Sequence, residues 1–205
     1  DLSRLDEFLE AGRRSENDKL MPAAAGMMQS IKNVQEEVGK ITGEVTKGNL
    51  KGARGNEERF IGCYKATITG MNQMLNILTA PLDEAAAVLD RMALHDFTVK
   101  MREDYQGELL QFSNSINTLN KQLLNIQQTF TEVSCGDTSK LEDMKKTGKL
   151  CENDKIIPAA IDMMEEIRAL ISETEKLAHA VSEGDLNAWG NTECFKGEYV
   201  NVISG

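Results

Sequence analysis

The sequence predicts an all-α protein of tandem helix pairs running parallel, and three observations carry that expectation. A long segment recurs later in the chain. Apolar residues step by 3 and 4 over several stretches. Aromatic residues make up only 5% of the 205 residues, with three prolines. This composition favours helices with narrow apolar seams over a thick aromatic core.

The recurrence defines the elements in order. Glu16-Asn17-Asp18-Lys19, Pro22-Ala23-Ala24 and Met27-Met28 return as Glu152-Asn153-Asp154-Lys155, Pro158-Ala159-Ala160 and Met163-Met164, at a constant offset of 136. The match continues through Ile31 and Ile167, Glu37 and Glu173, and Lys40 and Lys176, to Gly48-Asn49-Leu50 against Gly184-Asp185-Leu186. After a one-residue gap it resumes with Gly55-Asn56 against Gly190-Asn191 and Phe60-x-Gly62-x-Tyr64 against Phe195-x-Gly197-x-Tyr199. A weaker copy lies between, where Tyr105-x-Gly107 follows His95-Asp96-Phe97. The spacing is 14 residues from Gly48 to Gly62, 12 from His95 to Gly107 and 13 from Gly184 to Gly197. Each copy thus reads as a helix, a short connector and a second helix.

The apolar positions assign the helices to coiled-coil seams. Ile31, Val34, Val38, Ile41 and Val45 form one series, and Ile167, Leu170, Thr174, Leu177 and Val181 repeat its rhythm. The longest runs through Tyr64, Ile68, Met71, Leu75, Leu78, Leu82, Ala85, Leu89 and Met92, so one rod joins the first two copies. Pro81 lacks an amide proton and crowds the preceding turn, which predicts a kink or a helix restart there. Leu109, Phe112, Ile116, Leu119, Leu123, Ile126, Phe130 and Val133 form the last long series, ending near Ser134-Cys135-Gly136-Asp137. Short helices are expected from Leu2 to about Gly12 and from Leu141 to about Gly148, preceding the two main copies. Leu50, Phe97 and Leu186 open the connectors and are expected to dock on the helices. The Met pairs are expected in the core, Trp189 over a seam, and Glu36-Glu37 and Glu165-Glu166 on solvated faces.

Several function classes lose support. The net charge of -10 and the lack of a Lys/Arg run argue against nucleic-acid binding. No apolar window is long enough to span a bilayer. The chain begins at Asp1 and stops at Gly205 without a helix-ending signal, and reads as a piece of a longer protein. Cys63, Cys135, Cys151 and Cys194 are scattered and His95 and His179 sit alone, so no metal, cofactor or nucleophile constellation is expected. The Gly48 to Gly55 stretch lacks the Gly-Lys-Ser/Thr ending of a phosphate loop.

Gly48-x-Leu50, Phe60-x-Gly62-x-Tyr64, Gly70-x-Asn72, Ala80-Pro81-Leu82, Tyr105-x-Gly107 and Ile116-Asn117 together resemble the poly-HAMP region of bacterial methyl-accepting chemotaxis proteins. The resemblance implies tandem HAMP units forming parallel four-helix coiled-coil bundles in a homodimer. It divides the chain into a helical leader (1–30), a first HAMP unit (31–79), a second (80–134), a repeated leader (135–166) and a truncated third unit (167–205). It implies a non-catalytic relay in a chemoreceptor-like transducer, with Gly48, Leu50, Gly62, Pro81, Phe97, Gly107, Gly184, Leu186 and Gly197 as structural signalling positions. His95 stands where the family has Gly. The partners implied are a second copy, through the helical seams, and a chemotaxis histidine kinase and coupling protein, through regions outside this sequence. No small-molecule ligand is implied. The implied location is cytoplasmic, within a longer receptor at the inner face of the membrane. Small seam residues, Ala85, Thr174 and Gly70, would let the bundle shift between two packings. Two other readings stay open: a helical ligand-binding sensor and a structural coiled-coil spacer.

Overall fold

The computed structural model describes residues 5–12, 15 and 18–204, apart from the side chains of residues 8, 9, 11, 194 and 204. Glu16 and Asn17 of the first leader lie outside the described residues. Every regular element described is helical. Two compact units divide within one helix, at Thr118 and Leu119. The first holds α1 (Leu5–Ala11), α2 (Leu20–Thr46), α3 (Gly62–Ala93) and the opening of α4 (Gly107–Ser134). The second holds the rest of α4, then α5 (Leu141–Thr147), α6 (Ile156–Ser182) and α7 (Tyr199–Ser204).

Helix entry explains part of the repeated leader. The Asp18 carboxylate accepts the N–H groups of Leu20 (3.1 Å) and Met21 (3.2 Å). Asp154 does the same for Ile156 (2.9 Å) and Ile157 (3.3 Å). Each satisfies amides that a helix start leaves without partners, a cap of about 1 kcal/mol. Ahead of these caps, α1 and α5 each end at a glycine of positive φ, Gly12 and Gly148.

Helix exit follows one pattern. At the ends of α2, α3, α4 and α6 the N–H of Gly48, His95, Gly136 or Gly184 returns to the carbonyl three residues back. The next N–H, from Asn49, Asp96, Asp137 or Asp185, returns to the carbonyl five back. This double closure requires a left-handed residue at the first position. His95 adopts it with φ 59. A side chain there is strained by roughly 1–2 kcal/mol, partly offset because Gly also loosens the unfolded chain. His95→Gly is therefore expected to raise stability by about 1 kcal/mol, read from the urea midpoint.

No helix restart occurs at Pro81: α3 runs unbroken from Gly62 to Ala93. Pro81 is itself buried on a face that includes Ala85, Val88 and Met92, and that burial offsets the loss of one ladder bond.

Two apolar clusters organise the units. In the first, Ile41, Ala53 and Leu75 pack together, with Leu50 and Met71 against them. In the second, Val133, Leu141 and Met164 pack together, flanked by Met144, Ile161, Met163 and Ile167. The Met pairs therefore behave differently. Met164 is fully buried and its counterpart Met28 half-buried, while Met163 is half-buried and its counterpart Met27 is 58% exposed.

Candidate functional site

A connector that runs back along two helices must find partners for its own amides. Here those partners are one Glu from the first helix and, in two of three cases, one Asn from the second. In the first connector Glu37 accepts the Asn56 N–H at 2.8 Å. Its other oxygen meets Arg59 at 3.3 Å and Lys40 at 3.5 Å. Asn72 of α3 grips the neighbouring residue in both senses: it accepts the Gly55 N–H and donates to the Gly55 carbonyl, each at 2.9 Å. Its amide also donates to Glu57 at 2.8 Å.

The middle connector repeats this with different side chains. Glu84 accepts the Arg102 N–H at 2.6 Å and the Arg102 Nε at 3.0 Å, and also a short bond from the Tyr105 hydroxyl. Asn117 accepts the Met101 N–H at 2.9 Å and donates to the Met101 carbonyl at 3.0 Å. In the third connector Glu173 accepts the Asn191 N–H at 2.8 Å and pairs with Lys176 at 3.1 Å. The position matching Asn72 in that copy lies beyond Gly205.

These contacts hold the three carboxyls below the usual carboxylate range. For Glu37 the leading cause is the Asn56 amide, opposed by burial and reinforced by Lys40 and Arg59. For Glu84 burial acts upward and is outweighed by Tyr105 and by the amide and guanidinium of Arg102. For Glu173 the Asn191 amide leads, followed by Lys176. A carboxyl whose folded pKa is depressed stabilises the fold above its unfolded value, near 4.5, and that contribution is lost as pH falls through the folded value. Melting temperature should therefore decline on acidification below about pH 4.5. The decline should be shallower in Glu37→Gln.

The expected signalling positions fall into three groups. Gly48, Gly62, Gly107, Gly184 and Gly197 all take positive φ at the two ends of the connectors. Leu50 packs on the first cluster and Phe97 is buried, while Pro81 lies within α3. Leu186 departs from the expectation: it is 81% exposed, and Trp189 is 83% exposed rather than covering a seam. Leu50 packs against the cluster that contains Leu75, with Met71 beside it, and the matching positions for Leu186 lie beyond Gly205.

Glu37 also corrects the sequence reading. It is buried, not on a solvated face, because the connector amide needs its carboxylate. Of the small seam residues, Ala85 is buried while Thr174 and Gly70 are exposed. Asn72, Tyr105 and Asn117 stand out in the sequence only as members of the resemblance motifs, and Glu84 and Arg102 do not stand out at all. The available signal was that Glu37 matches Glu173 and Asn56 matches Asn191, at separations of 19 and 18 residues.

The seams are only half covered within the chain. On α3, Ile68, Leu75, Ala85 and Met92 are buried, while Leu78, Leu82 and Leu89 remain 44–48% exposed.

Residues 59–125 match the family model described as HAMP domain. That stretch is similar to a HAMP domain. The matched stretch runs from the end of the first connector through α3 and the middle connector into α4. The match covers about a third of the 205 residues. No solved structure matches the chain. Among the described residues no helix is long and apolar enough to cross a membrane.

Proposed function

We propose that the chain is a non-catalytic relay built from stacked HAMP units, two complete and one truncated, that passes conformational change along its helices in a chemoreceptor-like transducer. The observation that carries this reading is the connector grip, made three times by Glu37, Glu84 and Glu173 on a connector amide. One device placed at three successive helix pairs supports one function repeated along the chain.

Relay requires two packings of similar free energy and a contact that favours one of them. The seam supplies the surface that repacks. Leu78, Leu82 and Leu89 are left open by the chain's own helices, and a second copy in parallel register would cover them in four-helix bundles. The grips supply the link, since each ties a connector to its first helix and, in the first two, to its second. A shift of one helix is then felt by the other through the connector backbone.

The test is disulfide crosslinking. All four native cysteines are replaced by Ser, because Cys63, Cys135 and Cys151 are exposed thiols, and single cysteines are placed at Leu78, Leu82 or Leu89. Parallel pairing gives rapid same-site crosslinks at seam positions and none at Ala87, which is exposed on the opposite face of α3. Equal crosslinking at all four positions, or a monomer at every concentration, would overturn the dimeric relay.

A further inference from the structure

Within the second unit, the later part of α4, α5 and the start of α6 enclose an open cleft of about 450 Å³. That size falls in the range of small-molecule sites, roughly 300–1,000 Å³. Phe130, Met144, Leu150 and Ile156 line it, and three of these, Phe130, Leu150 and Ile156, are more than half exposed. Gln122 and Asn125 stand on the α4 wall, their amides uncommitted within the described residues.

The walls are already fixed. Val133 from α4, Leu141 from α5 and Met164 from α6 form one buried cluster beside the cleft. Lys145 pairs with Glu165 at 2.6 Å, tying α5 to α6. Arg168 of α6 donates to the Thr138 carbonyl at 3.1 Å and pairs with Glu142 at 3.0 Å. Binding there needs no ordering of the site, which removes one common cost of association.

Two features select the occupant. Val133, the next seam position after Phe130, is buried against Leu141 and Met164, so the second unit's own helices already cover that end of the α4 seam. The one cation lining the cleft, Lys140, is paired with Glu132 at 2.7 Å. The cleft therefore offers apolar surface and amide groups without an unpaired charge.

We propose that this cleft binds a small neutral molecule with a flat apolar body and a hydrogen-bonding group on one edge. The apolar body lies over Phe130, Met144, Leu150 and Ile156, and the polar edge meets Gln122 and Asn125. The first leader differs at a deciding position, since Arg14 stands where the second has Leu150. The site thus belongs to the second leader, and it does not depend on the dimeric relay reading.

The test titrates the full chain, labelled at its methionine methyls, with N-phenylnaphthylamine, a neutral aromatic amine. The Met144 methyl is expected to shift saturably while Met71 in the other unit stays still. Leu150→Arg, which installs the first leader's residue at an exposed position, should weaken binding at least tenfold with the Met164 signal unchanged. Asn125→Ala should weaken it several-fold, and Ile77→Arg, on an exposed position of α3, should not change it. Equal affinity in wild type, Leu150→Arg and Asn125→Ala would overturn the proposal. A Met144 signal that moves with protein concentration but not with the amine would overturn it too, assigning the cleft to a second copy.

Discussion

Replacing Asn72 by Ala is expected to destabilise the first unit by about 3 kcal/mol, because a buried backbone N–H and carbonyl lose their partners together. Both belong to Gly55, which is buried and so has no ready access to water. Glu57 loses a donor as well. In urea the midpoint should fall by roughly 1–2 M, with little change in slope at fixed protein concentration. Asn76→Ala, one turn further along α3, is the control. Asn76 accepts a hydrogen bond from Arg54 at an exposed site, and its loss should cost under about 1 kcal/mol. Equal effects of the two substitutions would show that the connector does not depend on the Asn72 grip. Asn117→Ala should reproduce the Asn72 result for the middle connector, where it grips Met101.

The second large effect concerns the open seam. In the proposed parallel pair, changing both Leu78 and Leu82 to Asp removes four apolar side chains per dimer and places like charges opposite one another. At about 1.5–3 kcal/mol for each buried Leu, the loss exceeds roughly 6 kcal/mol, or about ten-thousandfold in dimer affinity. Light scattering across a concentration series should then report monomer where wild type reports dimer. Both leucines are substantially exposed in the single chain, so helicity should survive. A dimer of unchanged affinity would place the interface elsewhere.

Much of this architecture is legible in the sequence. The offset of 136 locates both leaders, since α1 and α5 begin at Leu5 and Leu141 and end before Gly12 and Gly148. The seam series mark the long helices, because spacing by 3 and 4 places residues on one helical face. That spacing does not say what covers the face. Leu75 and Leu78 look alike in the series, yet only Leu75 meets Ala53 and Ile41. Leu50 and Leu186 are also matched residues, and their burial differs because docking depends on a helix contributed from elsewhere in the chain. Glu37 shows the other limit. A charged residue in a helical pattern is usually solvated, and its burial follows from a connector amide 19 residues away that lacks a partner within any helix. Such a need belongs to the path of the backbone and leaves its trace in sequence only as a Glu and an Asn at matching distances.

Because these side chains hold main-chain atoms, the residue held by each glutamate is free to vary. Asn56, Arg102 and Asn191 occupy equivalent places under the three glutamates. The place beneath Asn72 is fixed separately by packing, since a Cβ on Gly55 would come within 2.6 Å of Ile68 and 2.9 Å of Ile41. The surrounding loops are thereby released to diverge in charge, bulk and length, as the spacings of 14, 12 and 13 residues between their bounding turns illustrate. Each link in the array can acquire its own exterior while the mechanical fastening beneath it stays the same.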